Sequence, residues 1–266
     1  IYFNCSDYSN QSSSTCETWR IIGVFNGKLK LIRDSQIGTY SWDNKNTSTG
    51  AENNNGKNDW TDARLMKLLN PGYESETTGG SLYYKSKSGN CYSGQNNATT
   101  TCNFTSTGIK DTTRNLISDT TYYLGGWSSE SVYPNQIYSY ERGTTVYEGR
   151  PTTWQGKIAL PYLSDYGYAA DLSKCTLYLF YYGNSTCTSN NWMKSIITKS
   201  GNNDGWLLTH RSDLSSYAWN VYPSGTVTNG NSVYIANGVV PVLSLRSELN
   251  IKAGTGASSD PYQLSV

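Results

Sequence analysis

The sequence predicts an α+β protein: a small twisted antiparallel sheet, two or more short helices and long disulfide-clipped loops. Three observations carry that class. Short strand-like runs are separated by turn residues, a segment near Trp60 has helical period, and six cysteines fall in three close couples. Those couples are Cys5 with Cys16, Cys91 with Cys102 and Cys175 with Cys187, each set among Ser, Thr, Asn and Gly. Six cysteines allow fifteen connectivities; nearest-neighbour pairing closes short polar loops and is the expected one. Disulfides imply an oxidising compartment, hence export.

Taken in order, residues 1–18 read as a polar leader, a stalk or anchor remnant, ahead of a single domain over 19–266. Residues 19–24 and 28–33 are two strands around Phe25, Asn26 and Gly27, because Asn-Gly is the strongest short hairpin signal. Residues 41–59 are rich in Asp, Asn and Gly and form a solvated loop. An alternative calcium reading would use Asp43, Asn44, Asn46, Glu52, Asn53 and Asp59, but the EF-hand spacing is absent. A helix then starts at Asp59 as N-cap, carries Trp60, Ala63, Leu65, Met66, Leu68 and Leu69 near one face, and stops at Asn70-Pro71-Gly72. Residues 73–108 read as a surface insertion, and 109–118 as a second helix.

Further on, 122–127 and 156–163 read as strands, and Tyr166 to Ala170 as a short helix. The run from Leu177 to Tyr182, inside the third cysteine couple, reads equally as a ligand-facing loop or a satellite core strand. Residues 206–209, 217–222 and 239–245 are three strands, the last apolar enough to be buried.

Composition bounds the function. Only 15% of residues are charged and the net charge is +1, which disfavours nucleic acid. No apolar run approaches the roughly 20 residues of a membrane span. The 23 Tyr against 4 Phe point to half-exposed rings, since a buried hydroxyl needs a partner, and a mean hydropathy of −0.58 fits a long-looped extracellular protein. Aromatic and amide side chains concentrate between residues 206 and 234. Trp206, His210, Arg211, Tyr217, Trp219, Tyr222, Asn229, Asn231 and Tyr234 are the candidate ligand-binding residues, because Tyr and Trp give stiff contact area while Asn gives adaptable hydrogen bonds.

Catalytic readings are weaker. His210 is the sole histidine; with Asp213 three residues away it lacks a Gly-x-Ser-x-Gly partner segment. Glu141 and Glu148 are the carboxylate pair to check for glycoside cleavage. The expected catalytic set is none, with no cofactor apart from the calcium alternative.

The Trp-Leu-Leu-Thr at 206–209, the aromatic residue followed by Ser-Gly near 222–225, and the Gly-Val-Val-Pro-Val-Leu-Ser-Leu at 238–245 resemble the C-terminal signature of bacterial surface proteins with a C-type lectin-like fold. That group includes the variable proteins of diversity-generating retroelements and, distantly, formylglycine-generating enzymes. The family pattern has Arg before the Pro, whereas Val240 precedes Pro241 here. Residues 19–43, 60–70, 154–170 and 254–262 also resemble extracellular proteins of Gram-positive bacteria, some with a pilin-type helix that would precede Ile1. The reactive cysteines of the enzyme relatives have only Cys175 and Cys187 as counterparts, and their spacing favours a disulfide. The resemblance implies a surface-displayed module binding a protein or carbohydrate ligand. The alternative is a structural subunit that self-assembles into an extracellular filament.

Overall fold

The computed structural model describes residues 1–201 and 203–266, with the side chains of Ser200 and Asn229 outside the description. Over the described residues the chain is mixed α and β, with two five-stranded sheets, three two-stranded ribbons and short helices. In the first sheet the order is Tyr2–Phe3, Glu17–Phe25, Lys28–Arg33, Val242–Ser244, Ile158–Ala159, antiparallel throughout. Asn26 and Gly27 turn its hairpin with φ of 51° and 74°, the positive values a tight two-residue turn demands. Leu243 pairs with both Leu31 and Ile158, so the last core strand lies beside the first hairpin.

The second sheet runs Val227–Ser232, Tyr217–Val221, Gly205–His210, Ala236–Gly238, Thr39–Ser41. Its central strand, Gly205–His210, is buried at every residue. Strand alternation explains this: Trp206 and Leu208 join one hydrophobic cluster with Trp42, Trp60 and Met66, while Leu207 joins a second with Tyr166, Trp219 and Val221. Leu31 and Leu243 face the first cluster and Ile32 and Val242 the second, so both sheets are covered on two sides.

The expected helix after Asp59 is split. Asp59 caps one 3-10 turn, Trp60–Asp62, by accepting from the Thr61 amide; Ala63 is extended, and the α-helix is Arg64–Leu69. The break lets the helix's first amides bond outward, Leu65 N to the Trp42 carbonyl and Arg64 N to Asp43 Oδ1. Asn70 then ties the helix end to the first sheet, donating to the Met66 and Ile158 carbonyls and accepting from the Lys157 and Ile158 amides.

Three expectations are corrected. Residues 1–18 are part of the body: Phe3 and Cys5 are fully buried, Tyr2 pairs with Thr18, and the Ile1 amine donates to the Trp19 carbonyl. Residues 73–108 are not simply a surface excursion, since Tyr83 and Phe104 stack edge-on within the first cluster and the Ser88–Tyr92/Thr99–Asn103 ribbon buries Cys91 and Cys102 there as well. Residues 109–118 hold one helical turn, Asp111–Arg114, whereas a helix unforeseen in the aromatic run, Pro134–Glu141, begins on its proline.

The cysteines pair as expected, with Cα separations of 3.9, 5.8 and 4.8 Å. Among the described residues no helix is long and apolar enough to cross a membrane. Three disulfides fit a secreted or extracellular protein. The third bridge draws Leu179 and Tyr182 into the second cluster. Replacing Cys175 and Cys187 together by alanine is expected to lower stability on the order of 2 to 3 kcal/mol. Urea titration checks this, and an unchanged midpoint would contradict it.

Candidate functional site

The aromatic C-terminal face is largely inside the protein. Trp206 and Trp219 have no exposed surface, and their indole nitrogens donate to the Tyr40 carbonyl at 3.0 Å and the Trp127 carbonyl at 3.3 Å. Arg211 is buried with its fork on Asp213 at 2.7 and 2.6 Å. His210 is buried too, and burial pushes its pKa down to about 4. These four residues are therefore corrected from ligand contacts to core and supporting groups. The reason is topological for Trp206, His210 and Trp219, which lie on inner strands of a sheet covered on both faces, whereas Arg211 follows the strand and is held by Asp213. Tyr217, Tyr222, Asn231 and Tyr234 do stay half-buried around the Val227–Ser232 edge strand, where Asn231 and Asn220 each donate to Asp204 at 3.1 Å. The Asn229 side chain lies outside the described residues.

Other sequence candidates are held by structural bonds. Asp213 binds Arg211, which holds its carboxyl below the usual range. Glu141 is fully buried and Glu148 exposed. Asp43 is buried and accepts from the Lys57 amide at 3.0 Å and the Arg64 amide at 3.4 Å, while Asn44 Oδ1 accepts from the Arg64 guanidinium at 2.9 Å. These bonds use atoms a calcium ion would need.

A second surface, not legible in the sequence, is the better concave site. A cleft of about 580 Å³ opens between the hairpin tip at Phe25 and Lys28, the Thr120–Tyr123 ribbon strand, and the Pro134–Glu141 helix. Tyr123, Tyr138, Arg142 and Gln155 line it. A pocket of about 290 Å³, reaching Trp192 and Tyr168, adjoins it across the shared Phe25 and Tyr138. The Arg142 guanidinium lies 3.4 Å from the Tyr138 ring centroid and 5.6 Å from those of Tyr123 and Tyr162, and its Nη1 donates to the Tyr138 carbonyl at 3.1 Å, which holds it in place. The Lys28 ammonium donates to the Asp119 carbonyl at the rim.

Beneath the cleft lie the buried side chains of Lys30, Asp165 and Glu141. Lys30 meets Asp165, and Glu141 accepts from the Ser164 amide at 3.1 Å, the Ser164 hydroxyl and the Thr209 hydroxyl at 2.7 Å. Burial pushes the Glu141 pKa up to about 7 against the pull of those hydrogen bonds. Half-exposed rings, a forked cation and hydroxyls around one hollow can grip a flat or polar ligand. The chain matches no family model, no curated protein and no solved structure.

Proposed function

We propose that this chain is an extracellular recognition module with a C-type lectin-like fold that takes a protein or glycan ligand in the cleft beside Tyr138. The observation that carries the reading is the Arg142–Tyr138 stack, which presents an oriented guanidinium and a half-buried ring to a hollow large enough for a ligand. The adjacency of the first hairpin and last strand, with the 206–209 and 238–245 segments, supports the fold assignment. Half-exposed Tyr222 and Tyr234 give the same module a second, shallower contact surface.

Glycan and peptide arrays probed with the intact chain test the reading. For a ligand so found, Tyr138→Ala is expected to cost about 2 kcal/mol of binding, roughly thirtyfold in Kd, with an unchanged melting temperature. Tyr222→Ala and Tyr234→Ala should bind within a few fold of the parent. If affinity instead follows Tyr222 and Tyr234 while Tyr138→Ala is silent, recognition belongs to the C-terminal edge and the cleft assignment fails.

A further inference from the structure

We propose that Lys30 and Asp165 join through a spontaneous amide bond between their side chains, a covalent clamp formed after folding. This inference is independent of the ligand reading. Lys30 lies in the Lys28–Arg33 strand, paired with Gly23 on one side and Ser244 on the other, so its backbone is fixed from both neighbours. Its ammonium is 2.5 Å from Asp165 Oδ2, and the two side chains are only 7% and 5% exposed. Asp165 is held in turn: it is the third residue of the Leu163–Tyr168 helix, and the same oxygen accepts from the Tyr162 amide at 2.8 Å. Aromatic rings surround the nitrogen, with the centroids of Tyr162 at 4.5 Å and Phe25 at 5.2 Å.

The geometry supplies what a condensation needs. A nucleophile and an acyl carbon are locked together by the fold rather than by a collision, which raises their effective concentration by many orders of magnitude. The first step passes one proton from the ammonium to the carboxylate across their hydrogen bond. The freed amine lone pair then attacks Asp165 Cγ. A C–N bond forms, the C–OH bond breaks, and the departing oxygen takes the amine's second proton as water. Ammonium and carboxylate thus become amide and water, with charge, atoms and electrons balanced and no added reagent.

A third buried group lies nearby: Glu141 accepts from the amide and hydroxyl of Ser164, the residue next to Asp165. The water also has a way out, because Lys30 lines the large cleft and Asp165 the adjoining pocket. The clamp would do what the disulfides do not. Those close sequence separations of only 11, 11 and 12 residues, whereas Lys30 and Asp165 are 135 residues apart and would tie the first sheet to the Leu163–Tyr168 helix.

Intact mass spectrometry of the purified, fully reduced chain decides the matter. The expected mass is that of the sequence less one water, and digestion should yield a branched peptide joining the Lys30 and Asp165 segments. Lys30→Met and Asp165→Ala chains are expected at full sequence mass. A full-mass parent chain, or a water deficit that maps away from this pair, overturns the proposal whether or not the variants fold.

Discussion

Trp219→Ala is expected to lower the unfolding free energy by about 3 to 5 kcal/mol, the range for emptying a buried large aromatic site. Trp219 has no exposed surface and packs with Tyr166, Val221 and Leu207 in the second cluster. Its indole nitrogen also satisfies the Trp127 carbonyl, so truncation strands an acceptor as well as opening a void. Trp219→Phe keeps most of the ring volume and should cost clearly less. Denaturant unfolding followed by far-UV circular dichroism gives the numbers. A Trp219→Ala chain as stable as its parent but deaf to ligand would return this residue to a binding face.

The second large effect is in pH dependence. His210 titrates at about 4 in the folded protein against 6.5 when unfolded, so below pH 6.5 the unfolded chain binds the extra proton and stability falls with acid until about pH 4. Glu141 has the opposite sign. Its folded pKa of about 7 against 4.5 unfolded means the native state holds the proton, so its contribution is full below pH 4.5 and is lost as pH rises through 7. Between pH 4.5 and 6.5 the two nearly cancel. Glu141→Gln removes one side of the balance, so the parent's advantage over this variant should grow by about 3 kcal/mol as pH falls from 7 to 4.5. His210→Gln should show the reverse trend, gaining on the parent as pH falls from 6.5 to 4. Urea midpoints at several pH values check both, and differences that stay constant with pH would show that neither group is held in the state described.

The same residues show where sequence reasoning reached and where it stopped. The helix after Asp59 was legible as a capped apolar stretch, but not its interruption at Ala63, which depends on amides finding Trp42 and Asp43. Trp206 and Trp219 were legible as large aromatics in strands. Their burial was not, because an aromatic strand of this composition reads alike whether it lies at a sheet edge or between two hydrophobic clusters. Tyr138 and Arg142 carried no local signal that a helix would bring them beside Phe25.

By itself the sequence determined what short spans decide: the Asn26-Gly27 hairpin, the three neighbouring disulfides, the Asp59 cap and the buried 242–244 strand. In each, the interacting atoms belong to residues close along the chain, or the composition alone forces burial. Tertiary structure decided which aromatics face solvent, where the cleft opens, and that Lys30 meets Asp165. Those outcomes depend on sheet order and on contacts across more than a hundred residues, which no local pattern of side chains encodes.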